Sequence, residues 1–250
     1  MAIPQVQDPS IRYLQTAEAY DLWANVYDTD GNFLQALDTL QMKSLLPRML
    51  ALLESIQAPQ PWKLVDLGCG TGRNTAALLE VGDCEVVGLD VSSGMLEVAR
   101  RRLKDGLAYG RLQLQVLDLI EQSVPPHLKQ WADAIVSTLV IEHIPADLFF
   151  RQISDMLKPG GLILLTNMHS EMGRTSQAGF VDPRTGEKIR PASYAHTIQD
   201  VKAEAAKHGL EVIEKIQEVR VEPNMVSQLG ERSVKWIGVK VWFGGILRKK

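Results

Sequence analysis

Apolar positions along this chain fall into two regimes. Over residues 11–55, Leu34, Leu37, Leu40, Leu45, Leu46, Met49, Leu50 and Leu53 recur at spacings of three and four, the period of a helix that buries one face, and two or three helices are expected there. Beyond a Pro-bearing linker at 57–61 the pattern changes to short continuous apolar runs at 63–67, 85–89, 112–117, 134–139 and 162–166, each the length of a buried strand. Helical stretches near 74–81, 93–103 and 146–157 separate them. Strands alternating with helices imply parallel pairing through crossovers, hence an open doubly wound α/β sheet with ligands at the carboxyl ends of its strands.

Residues 198–208 and 210–216 read as one more helix–strand unit, and a last strand is expected at 234–242 beyond the turn residues 222–224, so the sheet should end in an antiparallel hairpin. The stretch 167–196, rich in Gly, Ser, Thr, Arg and Pro, is placed as an irregular lid. One domain is expected: a helical cap (11–56), a ligand-binding core (62–166), the lid, and a C-terminal helix and hairpin (197–250).

Candidate chemistry gathers at three strand ends. Asp66-Leu-Gly-Cys-Gly-Thr-Gly72 stands where the first core strand meets its helix, and glycine lets backbone pass close to a ligand at positive φ. Amides of such a turn suit a carboxylate or phosphate. Asp90 ends the second strand about 18 residues later, where doubly wound folds place a carboxylate for both ribose hydroxyls, although it also reads as a helix cap before Ser92 and Ser93. Asp118 ends the third strand as a ligand contact or a turn former.

Composition narrows the partners. An apolar share of 45% and a charged share of 23% over 250 residues are ordinary for a globular chain. A net charge of -3 makes no broad positive field, so a small molecule is expected as partner, and neither nucleic acid nor membrane. Arg248-Lys249-Lys250 reads as a solvated tail. Cys69 and Cys84 make no disulfide or metal framework, which suits a reducing cytoplasm. Residues 1–10 lack a leader pattern, and no apolar run reaches the roughly 20 residues of a membrane span. Asp28-Thr-Asp-Gly-Asn32 begins like a calcium loop without its closing Glu, so a plain turn and no metal are expected.

Taken together, Val65-Asp-Leu-Gly-Cys-Gly-Thr-Gly72, Val86-Val-Gly-Leu-Asp-Val-Ser-Ser-Gly-Met-Leu96, Asp118, Ile141-Glu-His-Ile144 and Leu157-Lys-Pro-Gly-Gly161 resemble the class I S-adenosylmethionine (SAM)-dependent methyltransferases, from about Tyr20 onward. The stretch Tyr20-Asp-Leu-Trp-Ala-Asn-Val-Tyr-Asp28 is similar to the cap helix of the ubiquinone/menaquinone-type, small-molecule branch. The resemblance implies a seven-stranded, mostly parallel, Rossmann-like sheet and methyl transfer from SAM to a small molecule, leaving S-adenosylhomocysteine (SAH). Asp66 and the backbone of Gly68, Cys69, Gly70 and Gly72 would hold the methionine moiety, Asp90 the ribose, and Asp118 and Leu119 the adenine. Val91 and Met95 would be apolar walls for adenine, or ordinary core.

Tyr20, Trp23 and Tyr27 share one helix face. They either close over the site, Tyr27 toward the sulfonium and Tyr20 and Trp23 toward substrate, or pack the helix on the sheet. His143 is the foremost base candidate because its ordinary pKa lies near neutrality, and it also reads as packing beneath the cofactor. His169 and Glu171 are second-rank substrate contacts; His127, His196 and His208 read as loop or surface residues, and Arg73 as a solvated first-turn arginine or, alternatively, a contact to the methionine carboxylate. Ser137-Thr-Leu-Val140 replaces the Asn/Asp-Pro-Pro-aromatic run of enzymes that methylate DNA bases. A monomer or homodimer is expected. The rivals are a SAM-binding relative that does not methylate, acting as a cyclase or partner subunit, and an NAD-dependent oxidoreductase.

Overall fold

A computed structural model describes residues 10–250; the leader reading of residues 1–9 lies outside the described residues. The chain opens with β1 (Ile11–Tyr13), α1 (Thr16–Trp23) and α2 (Phe33–Ser55). Asn32 caps α2 by accepting from the amides of Leu34 and Gln35. Leu34, Leu37, Leu45, Met49 and Leu53 then bury the stripe that their spacing predicts.

The core follows as β2 (Trp62–Leu67), α3 (Arg73–Leu79), β3 (Cys84–Asp90), α4 (Ser93–Arg102), α5 (Lys104–Ala108), β4 (Leu112–Val116), β5 (Ala132–Thr138), α6 (Ala146–Met156) and β6 (Leu157–Met168). Strands β4, β3, β2, β5 and β6 pair in parallel in that order. They read as continuous apolar runs because both faces are covered. Leu64, Val86, Ala134 and Leu162 face α2 on one side, while Val65, Val87, Ile135 and Ile163 face Phe149, Phe150 and Ile153 of α6 on the other.

The lid region carries more regular structure than expected: α7 (Ser170–Gly173), β7 (Phe180–Val181) and β8 (Lys188–Arg190). β8 pairs antiparallel with β7 and parallel with β1, so residues 11–13 are strand where the sequence reads as helix. The end of the chain comprises α8 (Ile198–Lys207), β9 (Leu210–Val212), β10 (Gln217–Arg220), α9 (Val226–Leu229) and β11 (Lys240–Lys249). β11 lies antiparallel between β6 and β10 and also pairs with β9. The mostly parallel sheet with its terminal hairpin is therefore present, as seven strands along one path plus β9.

Two terminal expectations are corrected. Residues Glu231–Trp236 form a 3₁₀ turn, and the last strand begins only at Lys240. It runs into the basic end of the chain, where Lys249 donates to the carbonyls of Ser154 and Leu157 and Arg248 pairs with Glu211, in place of a solvated tail. Among the described residues no helix is long and apolar enough to cross a membrane.

Candidate active site

β2 runs straight into the glycine turn. Gly68, Gly70 and Gly72 all have positive φ, and the amides of Gly68 and Cys69 bond the Leu89 carbonyl, so the turn is tied to the end of β3. At Gly68 a side chain is excluded, since a Cβ would lie 2.2 Å from a Val140 methyl. At Gly70 a Cβ would meet nothing within 4 Å, because its backbone borders open space. That space is a cleft of about 300 Å³, within the range of small-ligand sites. Gly68, Gly70, Asp90, Val91, Met95, Asp118 and Leu119 line it, together with Tyr20, Tyr27 and His143. Three strand ends and the cap helix thus meet around one cavity.

Asp90 accepts from the Gly70 amide (2.8 Å) on one oxygen and from the Ser92 amide (2.8 Å) on the other. The helix cap of α4 is Ser92 itself, which accepts from Met95 and donates to Asp21 of α1. Burial raises the Asp90 pKa to about 6 against the pull of those two amides. Asp118 accepts from the Ile120 amide (2.8 Å) on Oδ1, so it forms a turn and borders the cleft at once.

Other expected residues lie behind the lining. Asp66 is buried and accepts from Thr75 Oγ1 at 2.5 Å, its pKa raised to about 6 by burial. Cys69 is buried against Gly88 of β3, and Gly72 against Leu103, so with Asp66 they form the floor under the turn. His169 borders neither the cleft nor the chamber described below; its Nε2 meets Glu218 at 3.0 Å and its Nδ1 accepts from the Glu171 amide. Arg73 is not solvated: it donates to Asp38 of α2 (2.9 Å), a fully buried carboxylate that also accepts from Thr166 and Trp242. His196 lies in a loop, as expected, and is held there by its Nε2, which bridges the carbonyls of Ile141 and Ile144. Asp28 and Asp30 form the plain turn expected, with Asp28 held by Thr71 and Arg102 and Asp30 by Trp23 and Asn32.

A second, smaller chamber of about 90 Å³ adjoins the cleft, sharing Tyr20, Tyr27 and Leu139 as a common wall. Trp23 belongs to this chamber and also packs in the core, stacked on Phe180 at 5.0 Å. Glu142 lines it too and is 3% exposed, with Oε2 lacking any hydrogen-bond partner. Burial lifts its pKa to about 8. Sequence reasoning missed Glu142 as a site residue; the nearest signal was an acid adjoining a buried-turn histidine. It also missed Gln15, Thr16 and Ala17, which border the cleft from the start of α1.

Tyr20, in the common wall, is paired with His143 of the cleft. The Tyr20 hydroxyl lies 2.8 Å from His143 Nε2, and His143 Nδ1 lies 2.7 Å from the Ala192 carbonyl. A carbonyl only accepts, so Nδ1 carries the proton and Nε2 accepts from Tyr20. Burial pulls the His143 pKa down to about 4, which agrees with a neutral ring.

Comparison with known proteins matches residues 64–161 to a methyltransferase domain family. An uncharacterised methyltransferase of Emericella nidulans is 49% identical over 94% of this chain and 91% of its own length. In structure, a SAM-dependent methyltransferase from Mesorhizobium loti is similar at a TM-score of 0.58 and 20% identity, over 81% of this chain and 96% of that one. The [4+2]-cyclase SpnF is similar at a TM-score of 0.61 and 16% identity, over 99% and 98%. The chain belongs to the class I SAM-dependent methyltransferases.

Proposed function

We propose that this methyltransferase binds SAM in the larger cleft and methylates a small molecule held in the adjoining chamber. The observation that carries this is the convergence of Gly70, Asp90 and Asp118 on one cavity. Side-chain-free backbone at Gly70 leaves room for the methionine arm, and Asp90 retains lone pairs for ribose hydroxyls. Asp118 Oδ2, unused by the turn, suits the adenine amino group beside the Leu119 backbone, between Val91 and Met95. Asp66, Cys69 and Gly72 act by shaping the turn.

When bound, SAM supplies a methyl group on a positively charged sulfur, a built-in leaving group, so the protein's part is alignment and exclusion of water. Tyr20 and Tyr27 stand where cleft and chamber meet, and their rings stabilise a cation without competing as nucleophiles. His143 acts through Tyr20. A neutral, buried imidazole that already accepts the Tyr20 proton holds that hydroxyl in place and leaves its oxygen lone pairs for an N–H or O–H of the acceptor. The small size of the chamber favours a metabolite over a polymer, in agreement with the net charge of -3.

One second reading has an observation behind it: the likeness to a cyclase over nearly the whole chain. Incubation with methyl-labelled SAM and a metabolite extract separates the two. Label in a small-molecule product supports methyl transfer; tight SAM binding with no labelled product supports the cyclase-like reading.

A further inference from the structure

We propose that the chamber selects a small amine carrying an anionic group, with the nitrogen at Glu142 and the anion toward Arg232 and Lys235. This rests on the chamber being the acceptor site. Glu142 Oε2 is buried without a hydrogen-bond partner, a state that is costly unless a ligand supplies one. The nearest basic group, His143, sits 3.6 Å from Glu142 Oε1 but is neutral and already engaged on both nitrogens, so it provides no counter-charge. The chamber walls are rings: Tyr20, Trp23, Tyr27, Phe33 and Trp236. An ammonium satisfies the carboxylate and the ring faces together and supplies the counter-charge under which Glu142 ionises, whereas beside a neutral phenol Glu142 keeps the proton that its burial favours.

Polarity runs along the chamber. Arg232 and Lys235 line it and are exposed, while Glu142 is buried. Trp236, whose buried Nε1 has no hydrogen-bond partner, also lines the chamber. Arg232 donates to the Asp30 carbonyl through Nη1, and Lys235 lies 5.3 Å from the Trp236 ring centre. The ammonium's charge lets Glu142 ionise in the complex, and its buried carboxylate is then more basic than an exposed one, suited to taking a proton from nitrogen. Glu142 takes one N–H proton and frees the nitrogen lone pair. That pair forms the new N–CH₃ bond as the S–CH₃ bond breaks, sulfur keeps its electron pair, and the positive charge passes to the product nitrogen.

The test is calorimetric titration of the SAH-loaded protein with aminoethylphosphonate, its hydroxyl analogue hydroxyethylphosphonate, and ethylamine. Aminoethylphosphonate should bind at least about tenfold more tightly than either comparator. Glu142→Gln should abolish the preference for amine over hydroxyl, and Arg232→Ala with Lys235→Ala the preference over ethylamine, with SAH affinity within about twofold in both. Equal binding of the hydroxyl analogue, a preference that survives Glu142→Gln, or no amine binding below about 10 mM overturns the proposal while leaving SAM binding intact. Failure of SAH itself to bind removes the proposed function, and this inference with it.

Discussion

The Tyr20 hydroxyl donates to His143 Nε2 across 2.8 Å, joining the cap helix to the turn after β5 over 123 positions of sequence. The same turn is held from the other side by the 192–196 segment, through His143 to the Ala192 carbonyl, the Tyr194 amide to the Glu142 carbonyl, and His196 to the Ile141 and Ile144 carbonyls. Cap, lid and sheet therefore meet at one short turn. That is how residues far apart in sequence come to enclose a single pair of cavities.

A double-mutant cycle on Tyr20→Phe and His143→Gln should give a coupling of about 1 kcal/mol in denaturant unfolding, because the two side chains share one buried bond. Additive effects would show that the pair does not interact. Nitrogen NMR of the wild type should show a neutral ring with the proton on Nδ1 down to about pH 5, given a pKa near 4.

Asp38 is fully buried in α2 and gathers Thr166, Trp242 and Arg73. Asp38→Ala removes the ionic partner of Arg73, which keeps only the Gln35 carbonyl and Thr39, and strips Thr166 and Trp242 of their acceptor; it should cost about 2–4 kcal/mol. Thermal and urea unfolding will measure it, and Asp38→Asn should fall between this variant and wild type.

Gly68 combines φ of 70° with a Cβ position 2.2 Å from a Val140 methyl. Gly68→Ala should destabilise by about 1–3 kcal/mol. Adding Val140→Ala should recover part of that loss, since it removes the clash but not the backbone strain. Full recovery in unfolding experiments would place the whole cost in packing.

Stability of the cofactor-free protein should depend on pH through its buried acids. Glu142 has a folded pKa of about 8, above its ordinary value, so the folded state holds a proton that the unfolded chain has lost. The resulting stability is complete below about pH 4.5 and is lost as pH rises through 8. Asp66 and Asp90, raised to about 6, lose theirs between about pH 4 and 6, whereas His143, lowered to about 4, gains over much of the same range. From pH 6.5 to 8.5 Glu142 dominates among these groups, and wild type should lose about 1–2 kcal/mol that Glu142→Gln does not. Unfolding midpoints across that range will show the difference.

The strand–helix alternation and the glycine and aspartate signals were legible because each is set within a few residues. Strand β11 was not. It runs through Gly244 and Gly245, beyond the expected end at 242; a Cβ at Gly244 would lie 2.6 Å from the Trp242 ring, so glycine is there to seat that indole. Residues 234–236 look apolar enough for a strand, but Gly230 and Gly238, both at positive φ, bracket a tight turn that packs Trp236 against Phe33. Arg73 and Asp38 are partners across two elements, and neither side's pattern announces the other. Glu142 was invisible as a site residue for the same reason: the chamber it lines is closed by residues that α1, α2 and the 231–236 turn bring together.

Calorimetric titration with SAH tests the central claim most directly, namely that the ends of β2 and β3 and the turn after β4 hold one nucleoside with an amino-acid arm. Wild type should bind one SAH per chain, with no heat from NAD. Asp90→Ala and Asp118→Ala should each weaken SAH by about 1–3 kcal/mol without altering the fold by circular dichroism. Unchanged SAH affinity in both variants would contradict the account.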